Sequence, residues 1–211
     1  MKQQLQHLAL AAVALCLCGC ASTTIKNTWK APDFPGGPVQ KVSVVAVDDR
    51  KLVREGIENR FVRELREHNQ AAIPTYDLLA LPEIKADKQA AAARVRAAGA
   101  DVILVIRLVD QATYAHQMRT TPELYAPVAT GFGSYGWNDY CTVAFVDMGP
   151  VWSSSVQDIF IDSNLFDLKT GKRLWTALTR TVLKEDMDRL PVADELAAKV
   201  VDTMRKAGVV R

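Results

Sequence analysis

The sequence predicts an α/β fold: a mixed sheet built as βαβαβ, then a β-hairpin and a C-terminal helix, with the helices packed on the sheet. Three observations predict it. Residues 41–47 and 102–106 are short, almost wholly apolar, β-branched runs, the pattern of strands covered on both faces. Between them Val53, Ile57, Phe61, Val62 and Leu65 recur at helical spacing, with Arg54, Glu58, Arg63 and Glu67 on the other face. Later, two extended runs flank Lys169-Thr170-Gly171-Lys172, a turn in which glycine supplies a positive φ.

In chain order, the first strand covers 41–47 and ends at Asp48, Asp49 and Arg50. A helix over 52–68 follows, and then a short strand over 71–75, which Pro74 places at or near an edge. An alanine-rich helix spans 87–98, with Asp87 as N-cap and Gly99 past its end. Strand 102–109 comes next, and crossovers of these lengths imply a partly parallel sheet. Residues 156–168 and 173–183 form the hairpin. Val192, Leu196, Val200 and Met204 make an i, i+4 row along a closing helix over 189–207. Pro191 is tolerated in its first turn, and Gly208 ends it.

The start of the chain is different. Met1 and Lys2 precede an apolar run from Leu8 to Leu17, too short to span a bilayer and of secretory-leader length. It ends in Leu17-Cys18-Gly19-Cys20. A small residue directly before a cysteine at this place resembles the lipobox of bacterial lipoproteins. The resemblance implies cleavage between Gly19 and Cys20 and attachment of diacylglycerol and palmitate to Cys20. Ala21 follows where an aspartate would signal inner-membrane retention, so the implied location is the periplasm-facing leaflet of the outer membrane. The expected organisation is a leader over 1–19, a lipidated tether over 20–40, and one α/β domain over 41–211. Pro32, Pro35, Gly36, Gly37 and Pro38 oppose regular structure in the tether. Trp29 is too large to leave in water, so it is expected to pack on the domain.

Charge and cysteine usage narrow the class. The net charge is +2, and the leader takes Lys2 with it. No basic face is visible, which argues against nucleic acid as a partner. Of four cysteines, Cys16 and Cys18 leave with the leader and Cys20 is acylated. Cys141 is then alone and is expected to be buried as a small hydrophobe.

Several stretches carry a further resemblance. They are Trp29-Lys30-Ala31-Pro32, Gly36-Gly37-Pro38, residues 101–109, and the hairpin run 164–175 from Asn164 to Trp175. Their order resembles a bacterial lipoprotein family of unknown function over nearly the whole mature chain. The layout is similar to the curli-secretion lipoprotein, to the lipoprotein activators of penicillin-binding proteins, and to the amino-terminal domain of the Tol translocation protein. The resemblance implies a non-enzymatic interaction or assembly module of the cell envelope, anchored to the membrane and working with an envelope protein partner.

Residues 119–155 form an aromatic, glycine-rich insert with few charges. Long connections without periodicity are usually functional or disordered. A short strand over 141–146 is expected inside it. Tyr125, Phe132, Tyr135, Trp137 and Tyr140 are the candidate partner-binding residues, because such rings give large contact area at low entropic cost. Two other readings stand beside this one: a local mini-core over the sheet, and insertion into lipid.

No catalytic, cofactor or metal residues are assigned. No phosphate-binding glycine loop, Gly-x-Ser-x-Gly or His-Glu-x-x-His occurs. Asp48 and Asp49 follow a strand end, where open α/β sheets bind ligands, so a periplasmic small-ligand or peptide binder is the alternative. Capping of the next helix is the blander role for them. His68 suits a helix C-terminus. His116 has no second histidine near it for zinc, and with Ser153 to Ser155 it is the thin basis for a hydrolase. Asp158 and Asp162 share a strand face at period-two spacing, which could chelate a cation; the expectation is instead that this face is partly solvated.

Overall fold

The computed structural model describes residues 22–34, 36–109, 158–182 and 189–211. Within them lie six strands: β1 (Ser22–Lys30), β2 (Lys41–Val47), β3 (Ala71–Pro74), β4 (Val102–Val109), β5 (Asp158–Asp167) and β6 (Arg173–Val182). Four helices accompany them: α1 (Lys51–Glu67), α2 (Leu81–Ala86), α3 (Lys88–Ala97) and α4 (Arg189–Lys206). The strands make one open mixed sheet in the order β1-β6-β5-β4-β2-β3. β2 runs parallel to β3 and β4, and every other pairing is antiparallel. The expected α/β class holds, and the expected mixed sheet, hairpin and C-terminal helix follow in the expected order.

Alternation along β2 explains why two cores form. Val42, Val44 and Ala46 join Phe61, Val62 and Leu65 of α1 and Leu196, Val200 and Met204 of α4. Val45 and Val47 point the other way, onto Ile84 of α2 and Ala91 and Val95 of α3. The chain steps from β2 to β3, then crosses back over β2 to reach β4. Crossovers of one hand that reverse direction put successive helices on opposite faces. β2 is thereby covered on both sides, as its almost wholly apolar run requires.

Local chemistry sets the element ends. Asp87 caps α3, accepting from the N–H groups of Gln89 at 3.0 Å and Ala90 at 2.8 Å. Gly99 beyond it has φ +85 and Gly171 in the hairpin turn φ 70, so both use the left-handed region that glycine enters freely. Past α1, Asn69 takes φ 58, and the Gln70 N–H closes onto the Leu65 carbonyl at 3.0 Å.

Three expectations change. The stretch expected as a tether contains β1, an edge strand paired along its length with β6. Asp48 does not cap α1, whose N-cap is Arg50 with no side-chain cap. Instead Asp48 Oδ1 accepts from the Arg50 N–H at 2.9 Å, and its two oxygens hold the Arg50 guanidinium at 3.0 and 2.8 Å. Helix α2 was not anticipated; it carries Pro82 in its first turn and buries Leu81 and Ile84.

Candidate functional site

The parallel strands β2, β3 and β4 end at Val47, Pro74 and Val109, on one edge of the sheet. β2 leads to α1 on one face, and β3 leads to α2 and α3 on the other. Such a divergence opens the crevice where open α/β sheets take their ligands. Here the crevice is filled from within. Glu58 of α1 is fully buried, and four donors converge on its carboxylate. Arg54 Nε donates at 2.7 Å and the Ala46 N–H at 3.1 Å to Oε1; the N–H groups of Thr75 and Tyr76 donate at 2.6 and 2.8 Å to Oε2. Arg54 also donates from Nη2 to the Leu79 carbonyl at 2.9 Å. Burial pushes the Glu58 carboxyl up from its ordinary value of 4.5, while Arg54 and the N–H groups of Tyr76 and Ala46 pull it down. The carboxylate thus sits where a ligand's anion would, and it ties α1 to the ends of β2 and β3.

A second polar feature lies on the sheet face that carries α2 and α3. Arg107 interrupts the apolar run of β4 and is buried at 2% exposure. Its register partner on β5 is Asp162, with Arg107 Nη2 at 3.6 Å from Asp162 Oδ2. Asn164 Nδ2 donates to Asp162 Oδ1 at 2.5 Å, and Arg173 Nη1 reaches Asn164 Oδ1 at 3.5 Å. The Arg173 guanidinium lies 5.4 Å from the centre of the Trp29 ring, a cation–π distance. A seam of charge and amide therefore runs from β4 across β5 to β6 and ends against the Trp29 ring of β1. Buried ions need partners, and this arrangement supplies them in series.

The seam corrects one expectation. The strand face of Asp162 is not partly solvated: Asp162 is 2% exposed and sits against Arg107. A cation there would have to displace a guanidinium. The seam as a whole was missed by sequence reasoning. Its one sequence signal is Arg107 at an inward position of an apolar strand, since an arginine there requires an acid on a neighbouring strand.

The other candidates are placed as follows. Trp29 packs on the domain as expected, half-buried under Arg173. His68 ends α1 with Nε2 at 3.3 Å from Glu64. Gly19, Cys20, Tyr125, Phe132, Tyr135, Trp137 and Tyr140 lie outside the described residues, as do the 141–146 strand, Cys141, His116 and Ser153 to Ser155. Among the described residues no cluster of histidine, cysteine or carboxylates is placed to hold a metal, and no helix is long and apolar enough to cross a membrane.

The insert's attachment points are well defined. Val109 is the register partner of Phe160, so β4 and β5 are adjacent antiparallel strands. Their connection, residues 110–157, leaves and rejoins the sheet at the same edge as the Glu58 crevice. A few residues suffice for such a junction.

No protein-family model matches the chain, and no curated protein does. Among solved structures it is similar to the PelC dodecamer from Paraburkholderia phytofirmans. Identity is 14%, the TM-score is 0.47, and the match covers 90% of this chain and 99% of that one. A second crystal form, of a PelC variant, gives 13% identity at the same TM-score. A PDZ domain protein from Parabacteroides distasonis matches at 14% identity and a TM-score of 0.37, over 92% of this chain and 38% of that one. At TM-scores below 0.5 these likenesses carry no functional assignment.

Proposed function

We propose that the chain is a lipid-anchored, non-enzymatic interaction or assembly module of the cell envelope. It is acylated at Cys20, held at the periplasm-facing leaflet of the outer membrane, and engages an envelope protein through the 119–155 insert. One observation carries the choice of the insert over the strand ends. The crevice at the carboxyl edge is taken by the chain's own Arg54 and Glu58, and the N–H groups of Ala46, Thr75 and Tyr76 donate to that carboxylate. The adjacent Asp48 is likewise held by Arg50. A small ligand at the strand ends would have to displace both pairs. The insert instead interrupts a junction between adjacent antiparallel strands that a short turn would close.

The test is photo-crosslinking in intact cells from probes at Tyr125, Tyr135 and Trp137. Discrete adducts to one envelope protein are expected from these positions, and deletion of residues 125–140 should abolish co-purification of that protein. Adducts to the same protein from a probe at the exposed Asp77 that persist after the deletion would move the partner site to the body. A deletion variant with unchanged partners would remove the reading.

A further inference from the structure

We infer that the carboxyl edge of the sheet is the face this chain lays against the bilayer, with Leu52 as its apolar contact. The inference rests on the reading that Cys20 carries the lipid. Ser22 opens β1 and is the register partner of Val182. Val182 pairs in turn with Asp158, at the end of the sheet where Phe160 meets Val109. The chain therefore enters the sheet at the carboxyl edge, opposite the 169–172 hairpin turn.

Only Ala21 stands between Cys20 and Ser22. Two residue steps of extended chain span at most about 7 Å. A lipidated cysteine sits at headgroup depth, so the start of β1, at this edge, is held within one side-chain length of the surface. A twenty-residue tether would have left the orientation free; β1 removes that freedom by pairing from Ser22 onward.

Side chains on the same edge agree. Leu52, in the first turn of α1, is 82% exposed and is the one exposed large hydrophobic among the described residues. Lys51 beside it has 85% of its side chain exposed. An apolar side chain next to an ammonium suits the boundary between acyl chains and anionic headgroups. α1 starts just past the end of β2, so both residues lie at the same end of the sheet as Ser22.

The experiment uses the mature acylated chain with Cys141→Ser, in vesicles of phosphatidylethanolamine and phosphatidylglycerol carrying a headgroup spin-labelled lipid. An environment-sensitive fluorophore is placed at Leu52→Cys or, on the opposite edge, at Lys172→Cys. Loss of fluorescence at position 52, with position 172 at the level of label-free vesicles, is expected. Equal quenching at the two positions, or stronger quenching at 172, overturns the inference. A second arm replaces the acyl group: Cys20→Ser with an amino-terminal histidine tag on nickel-chelating lipid holds the same end of β1. Mass spectrometry showing an unmodified Cys20 in the native protein would end the lipid-anchor reading. The second arm still reads the orientation on its own, and the same two outcomes decide it.

Discussion

At the scale of single residues, the fold depends on polar groups whose partners are all of one kind. Every neighbour of the Glu58 carboxylate is a donor. Glu58→Ala leaves the Arg54 guanidinium and the Ala46 and Tyr76 N–H groups without their shared buried acceptor; the expected cost is about 2–3 kcal/mol, read as a lower urea midpoint. The pH dependence has a definite sign. Burial raises the folded carboxyl above its unfolded value near 4.5, so the unfolded chain releases the proton first. The stability contributed by this group is complete below about 4.5 and is lost as the pH rises through the raised folded value. Midpoints measured across that window should fall with pH in the parent and flatten at this step in Glu58→Gln. Arg107 obeys the same logic. Arg107→Met leaves Asp162 buried beside a thioether and should cost about 3 kcal/mol, whereas Arg107→Met with Asp162→Leu should recover most of it in thermal melts.

At the scale of elements, β1 offers the sharpest test. Its outward side alternates exposed Thr24, Lys26, Thr28 and Lys30, and a bulge falls between Ile25 and Asn27. Charged side chains and a bulge are devices that keep an edge strand from recruiting another chain. Starting the chain at Ala31 would bare β6, which is apolar at Leu174, Trp175 and Ala177. Amides of β6 should then lose hydrogen-exchange protection, and light scattering should show association. A monomeric truncated chain with protected β6 amides would mean that β1 is dispensable. The same element shows what sequence patterns reveal. β2, β4, α1 and α4 are legible because each buries a continuous run or a clear stripe. β1 is not, because Ser22-Thr23-Thr24-Ile25-Lys26-Asn27 has the polar composition of a linker; half of it faces water, and Thr23 finds Thr181 at 3.0 Å only once β6 is alongside. α2 escaped notice because six residues are too few to display a period. The polar seam required strand register, which single-strand patterns do not contain; Arg107 hints at it, while Asp162 and Asn164 pass for ordinary strand polarity.

At the scale of the whole molecule, three features share one end of the sheet. The amino-terminal strand, the connection 110–157 and the start of α1 all open there, while the hairpin turn with Asp167, Lys169 and Thr170 sits opposite. Membrane attachment through acyl chains is worth about 0.8 kcal/mol for each buried CH₂. Cys20→Ser should therefore shift the protein from the membrane pellet to the soluble periplasmic fraction. Its melting temperature should not change, because the body's cores lie within 39–210. Cell fractionation with an immunoblot checks the first outcome and calorimetry the second. A pellet-bound Cys20→Ser protein would assign membrane retention to the protein surface instead.

Since Val109 and Phe160 are facing partners, whatever is strung between them begins and finishes at neighbouring points. Closing that gap places almost no geometric demand on the intervening residues. Natural selection can exchange such a cassette wholesale, altering its length and chemistry, while the scaffold beneath keeps its register. Across related chains, if the insert is the partner-binding element proposed above, recognition should diversify at this one junction far faster than the body beneath it.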